Sequence, residues 1–225
     1  PAPQRLPATE RRRAGALVRA SIAAADQALG GADAAAVATV FSSSTGDPLN
    51  CPLLCEALAA AERSVSPTRF TNSVHNAAAG YWHIAAASRQ PSTSLAAHDA
   101  SFGVGLLEAA VQCAAARAPV LLVACDLPYP EPLHALRPVA DVFATALLLV
   151  PAGGRGLRLT VGAEGAASRC ADAGLEALRL GIPAARALPL LRALAANAAA
   201  TLHIEGQPGW GLALELEAAS AAPAP

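Results

Sequence analysis

The stretch "PSTSLAAHDASFGVGLLEAA", residues 91–110, reads as a short strand, a sharp turn and a helix. His98 and Asp99 stand at the turn and Ser101 lies just inside the helix. A nucleophile is often presented on such a turn, because the helix N-terminus supplies free N–H groups and a positive potential. A serine hydrolase needs its Ser at the apex of G-x-S-x-G, so that backbone can pass closely beneath it. "HDASFGVG" lacks the first glycine of that motif. His98 and Asp99 acting as base and nucleophile is a second option. Neighbours in sequence point different ways, however, and a base has to reach its proton within about 3 Å. The structural alternative places Asp99 at a helix N-terminus, where its charge meets the dipole and the unpaired N–H groups, worth about 0.5–2 kcal/mol.

The other reactive side chains are dispersed. Cysteines at 51, 55, 113, 125 and 170 form no C-x-x-C pair. Cys51 and Cys55, four apart, share a face of an expected helix, and a zinc site completed by a histidine is the alternative to plain thiols. No apolar segment follows the N-terminal charges, so no secretory leader is expected. All five cysteines are then read as reduced, mostly buried thiols of a cytoplasmic protein. His75, His83, His98, His134 and His203 show no metal-ligand spacing. Neither a G-x-G-x-x-G turn after a strand nor a phosphate loop ending in Gly-Lys-Ser/Thr is present. "GVG" at 103–105 falls inside a helix, where glycine permits close packing. No cofactor and no metal are expected.

The elements that must position these residues are built from an unusual composition. Apolar residues make up 54% of the 225 positions, but aromatics only 4%, and methionine is absent. The core must therefore be Ala, Leu and Val, with elements packed closely. The net charge of −1 provides no field for nucleic acid or an anionic membrane. The one basic cluster, "ERRR" at 10–13, reads as a solvated helix start or a docking patch. No apolar run reaches the roughly 18 residues of a membrane span.

A helix is expected from Thr9 to Leu29, stopped by Gly30-Gly31. "AAVATVFSSS" (35–44) is a buried strand, and "GDPLNCPLLCEALAAAE" a turn and helix, with Pro52 tolerated in the first turn. "RSVSPTRFTNS" is a loop and "SVHNAAAGYWHIAAASR" a helix. "STSLAA" is a strand, "SFGVGLLEAAVQCAAAR" a helix and "PVLLVACDLP" a strand. "YPEPLHALRPVAD" is a loop, followed by strands "VFATALLLVPA" and "GLRLTVGAE" around a turn at Gly153-Gly154. Alternating short strands and helices argue for an α/β protein with a buried, mostly parallel sheet covered on both faces. The pattern weakens after Ala163. "AARALPLLRALAANAAA" (184–200) is an amphipathic helix, "TLHIEGQPGWGLALELE" (201–217) two strands, and 218–225 a disordered tail.

The run "SVSPTRFTNSVHNAAAGYWHIAAASRQPSTSLAAHDASFGVGLLEAAV" resembles the β-ketoacyl synthase family of the thiolase fold. That family carries a serine-proline loop, a helix of the form N-x-x-A-G, and a P-S-x-S strand ending in the elbow A-C-x-S. This chain has Ser66-Pro67, then Asn76 with Ala79-Gly80, then Pro91-Ser92 and Ser94. Ser101 takes the last position of the elbow, so Asp99 coincides with the reactive cysteine. The likeness covers roughly residues 9 to 150, the first half of a synthase. "SPTRFTNSVHNAAAGYW" and "CDLPYPEPL" look more narrowly like short synthase-like chain length factors of aryl polyene and xanthomonadin-type pigment clusters.

The resemblance implies a thiolase-like α/β fold, with residues 1–163 as the ketosynthase N-terminal half and 164–217 completing the same domain. It implies a non-catalytic partner of a full-length synthase that extends a polyene chain on an acyl carrier protein. An aspartate is a poor acyl acceptor, and no G-H-x-x-G-A-A-G-like segment follows residue 150. Phe70, Asn72, His75, Asn76, Tyr81 and Trp82 become candidates for the partner interface or acyl tunnel, with core packing the alternative for Tyr81 and Trp82. Two other functions stay open: a malonyl-carrier decarboxylase or thioesterase using Asp99 and His98, and a homodimeric acyl-binding module.

Overall fold

Seven consecutive residues, Val120–Asp126, are buried throughout, and their alternation decides how the layers assemble. Val120, Leu122 and Ala124 point to one side, into a cluster with Phe102, Leu106 and Ala109. Leu121, Val123 and Cys125 point to the other, against Leu17, Val18, Ile22 and Trp82. A strand with both faces covered is what a near-continuous apolar run encodes. The computed structural model describes residues 3–151, 156–163 and 165–218. The turn expected at Gly153-Gly154 and nearly all of the tail expected over 218–225 lie outside the described residues.

In chain order the elements are α1 (Ala8–Arg13), α2 (Ala16–Leu29), β1 (Ala38–Ser42), α3 (Asn50–Ala59), α4 (Pro67–Asn72) and α5 (Ala77–Ala86). There follow β2 (Ser92–Leu95), α6 (Ser101–Ala116), β3 (Val120–Asp126), α7 (Leu133–Leu136), β4 (Phe143–Leu149) and β5 (Leu157–Gly162). The last are α8 (Ala173–Gly181), a 3₁₀ turn at Pro183–Ala187, α9 (Leu188–Ala195), β6 (Ala200–Glu205) and β7 (Gly211–Leu216).

The first sheet has order β2-β1-β3-β4. β1 runs parallel to β2 and β3, and β4 is antiparallel. The second, β5-β7-β6, is antiparallel throughout. α2 and α5 cover one face of the first sheet. α6 lies between the two sheets, sharing a core with Ile204, Leu212 and Leu214. Glycine makes that sandwich possible. A Cβ on Gly105 would stand 2.7 Å from Ser42 Cβ, and one on Gly103 would stand 2.6 Å from the Glu205 carbonyl. The mostly parallel mixed sheet and its covering helices match the expected fold class.

The expected helix over 9–29 is broken at Ala14-Gly15, where Ala14 is extended. Gly15 is extended as well and precedes α2, and a side chain there would meet Asp47 Oδ2 at 2.6 Å. Two expected loops contain short helices, α4 and α7. In α4, Ser66 caps Arg69 N and Pro67 starts the helix. α8 was not foreseen, because its buried Glu176 and Arg179 interrupt the apolar period. The helix expected over 184–200 is a 3₁₀ turn leading into the shorter α9. The two strands expected over 201–217 are β6 and β7.

Candidate functional site

β2 leads to a turn in which His98 adopts left-handed backbone geometry, φ 54°. For a non-glycine residue this conformation is strained, and surrounding contacts have to hold it. Ser101 supplies them. Its Oγ accepts from Ala97 N at 3.0 Å and donates to the His98 carbonyl at 2.7 Å. Ser42 Oγ in turn donates to the Ser101 carbonyl at 2.5 Å, fastening α6 to β1. The expected capping role of Asp99 is therefore corrected: no side chain caps α6 or the preceding 3₁₀ turn at His98–Ala100.

The Asp99 carboxylate turns instead to two guanidinium groups. Arg137 Nη2 donates to Asp99 Oδ1 at 2.9 Å and to Ser44 Oγ at 2.8 Å, while its Nη1 contacts the His98 ring. Arg186 Nη2 lies 3.8 Å from Asp99 Oδ2. Charged donors bind a carboxylate about twice as strongly as neutral ones, so two arginines outcompete the backbone N–H groups of the helix. Asp99 and His98 approach each other at 3.6 Å, too far for direct proton transfer, and both are engaged by Arg137.

Arg186 begins a ladder of alternating charge. It contacts Glu205, which accepts from Arg179 Nη1 at 2.8 Å. Arg179 Nε donates to Glu176 Oε2 at 2.9 Å, and Arg169 Nε to Glu176 Oε1 at 3.1 Å. These bonds and the Cys170 N–H, led by the Arg179 contact, hold the Glu176 carboxyl down at about 2. Asp126, fully buried at the end of β3, sets the position of Arg186. Its Oδ1 accepts from Ser44 N at 2.6 Å and Thr45 N at 3.0 Å, and its Oδ2 from Ala184 N at 2.8 Å. Burial pushes the Asp126 pKa up, against those hydrogen bonds.

The cysteines stand apart from this turn. Cys51 and Cys55 are exposed, against the expectation of burial, whereas Cys113, Cys125 and Cys170 are buried. Burial pushes the Cys125 thiol up to about 12, which keeps it protonated. Among the described residues no group of three His, Cys, Asp or Glu side chains is arranged to hold a metal, so a zinc site at Cys51 and Cys55 is not formed.

The remaining candidates separate by depth. Trp82 is 0% exposed, packed in the α2–α5 layer with Arg5 over its ring, so it offers no surface to a partner and is core. Asn72 is buried and donates to the Arg13 carbonyl at 3.0 Å, tying α4 to the α1–α2 break. Tyr81 is nearly buried but floors a depression of about 360 Å³ whose walls include Glu10, Arg13, Thr71, Val74 and Ile84. Phe70 is 65% exposed. His75 and Asn76 are exposed at the start of α5, with His75 Nε2 2.9 Å from the Ser43 carbonyl. Asn76 and Gly80 border both that depression and a second one between α5 and the free edge of β2, reached by Ser92 and Ser94. Arg137, Arg186, Glu205 and Asp126 escaped the sequence reading. Only Asp126 carried a local signal, as a charge closing an otherwise apolar strand.

Two sheets enclosing a central helix, with a strand-turn-helix elbow at its N-terminus, define a thiolase-like protein. Residues 1–211 match the family described as beta-ketoacyl synthase, N-terminal domain. The chain belongs to the β-ketoacyl synthase family, and the match runs well past the first 150 residues. Among solved structures, a ketosynthase (ApeO) in complex with its chain length factor (ApeC) from Xenorhabdus doucetiae is similar at TM-score 0.72 and 24% identity. That match covers 93% of this chain and 81% of the other. The ishigamide ketosynthase/chain length factor is similar at TM-score 0.68 and 15% identity, covering 98% and 85%. No curated protein sequence matches the chain. Among the described residues, no helix is long and apolar enough to cross a membrane.

Proposed function

We propose that this chain is a non-catalytic chain length factor that pairs with an active β-ketoacyl synthase and shapes its acyl tunnel. The observation that carries the reading is the arginine-clamped carboxylate of Asp99 at the elbow. Condensation begins with thiolate attack on an acyl thioester. A carboxylate neutralised by Arg137 and approached by Arg186 is a weak nucleophile, and no cysteine stands at this turn. Two of the similar structures are a ketosynthase with its chain length factor, which supports the same kind of partner here.

The surface around α5 supports pairing. β2 is an edge strand with one unpaired side. Phe70, Val74 and Ile84 expose apolar side chains nearby, at 65%, 48% and 52%. Gly80 lies inside α5, and a Cβ there would meet nothing within 4 Å. A glycine in a helix interior costs about 1 kcal/mol relative to alanine, and among the described residues no close contact requires it. An approaching partner backbone or acyl chain does. In this reading residues 164–217 complete the same domain, since β6, β7 and α9 share a core with α6. The working complex is cytoplasmic and extends a polyene chain on an acyl carrier protein.

Co-expression with a cysteine-bearing synthase and measurement of chain lengths tests this. A one-to-one complex whose product length changes when this subunit is omitted is expected. Undiminished elongation to the same lengths without it defeats the reading. A decarboxylase or thioesterase using Asp99 and His98 is the competing reading, and turnover of malonyl-carrier protein by the isolated chain distinguishes it.

A further inference from the structure

Alongside α6, lined also by β4 and β5, lies a cleft of about 660 Å³. One wall is a stripe of α6 from Leu106 through Ala110 and Cys113 to Arg117. The others are leucines of β4, β5, α9 and β7, among them Leu149, Leu159 and Leu194. Eleven residues of helix separate Leu106 from Arg117, so the stripe is about 16 Å long, the reach of an extended medium-length alkyl chain. The volume lies within the range of about 300–1,000 Å³ common for small-molecule sites.

Charge gives the cleft a direction. Among the described residues Arg117 is the one charged residue lining it, is exposed at the end of α6, and makes no ion pair. An apolar trough ending in one unpaired cation suits a molecule with an alkyl chain and one anionic end. The leucine side chains offer water no polar partner, so covering them with an alkyl chain is favourable. The Cys113 thiol in the wall is 5% exposed and kept protonated by burial, so it serves as packing surface rather than nucleophile.

We propose that this cleft binds a medium-chain fatty acid, with the alkyl chain along α6 and the carboxylate at Arg117. The site is separate from the Asp99 turn and from the α5 face, and it goes beyond the partner role proposed above. The test uses the full chain alone, without a synthase, so its failure leaves that role untouched.

Dodecanoate below its micellar concentration should bind saturably and displace a fluorescent fatty acid. Calorimetry should give one dodecanoate site per chain. Ala110→Trp, which fills the trough, should abolish displacement. Arg117→Ala should weaken dodecanoate by roughly tenfold, as expected for one charge-assisted contact, and leave dodecanol binding unchanged. Absence of saturable dodecanoate binding to the wild-type chain overturns the proposal without any variant. Displacement that survives Ala110→Trp also overturns it, as does loss of synthase pairing in that variant without any fatty-acid binding in the wild type.

Discussion

Asp126 Oδ2 accepts a hydrogen bond from Ala184 N at 2.8 Å across 58 residues of sequence, while its other oxygen gathers the Ser44 and Thr45 N–H groups. One buried carboxylate thus fixes both the loop that carries Ser44 and the turn that carries Arg186, and these meet at Asp99. Asp126→Asn replaces an acceptor oxygen by a donor and leaves buried N–H groups unpaired. A loss of about 1–3 kcal/mol in chemical denaturation is expected, with weaker product-length control in the reconstituted complex. An unchanged denaturation midpoint would contradict the bracing role.

Asp99 takes part in no covalent step on the proposed reading. Asp99→Asn should therefore change elongation by the complex less than tenfold. Asp99→Cys should not turn the isolated chain into a synthase, since it restores only the nucleophile. A fall of several orders of magnitude with Asp99→Asn, or an acyl group trapped on Asp99 during turnover, would return the chemistry to this turn.

Gly80 and the two glycines of α6 should respond in opposite ways. Gly80→Ala meets open space and should raise the melting temperature of the isolated chain, by about 0.5–1 kcal/mol of stability. Gly80→Leu should leave the chain folded but weaken pairing or shorten products. Gly105→Ala must displace Ser42 and should destabilise the chain by about 1–3 kcal/mol.

Trp82→Ala should cost about 3–5 kcal/mol of stability, the usual result of deleting a large aromatic from a core. Phe70→Ala should leave the melting temperature nearly unchanged while lowering synthase affinity. Size-exclusion titration with the synthase separates the two effects, and normal affinity for Phe70→Ala would remove α4 from the interface.

Acid sensitivity should come in part from Glu176. Its folded pKa of about 2 lies below the ordinary 4.5, so its contribution is complete above pH 4.5 and is lost as the pH falls towards 2. Asp126 has the opposite sign: its folded pKa is raised, so its titration favours the folded state at low pH and that contribution fades as pH rises above 3.8. Glu176→Gln should flatten the stability loss between pH 4.5 and 2, measured by urea denaturation. An unaltered acid limb would rule out the Glu176 ladder as its source.

The alternation of apolar runs in β1, β3 and β4, and the Gly-x-Gly spacing in α6, were legible in the sequence because they follow from burial on two faces. The order of motifs from Ser66-Pro67 to Ser101 likewise marked the family before any coordinates. Boundaries that depend on distant contacts were not legible. The break between α1 and α2 falls where Asp47 packs against Gly15, and α8 hides its period because its inward positions are charged and paired. The same holds at the elbow. The sequence by itself placed a carboxylate at the turn, but it offered a helix dipole as that carboxylate's partner. Only the tertiary structure brought Arg137 and Arg186 to Asp99 from 38 and 87 positions away, because an ion pair is set by distance in space and leaves no periodic trace along the chain.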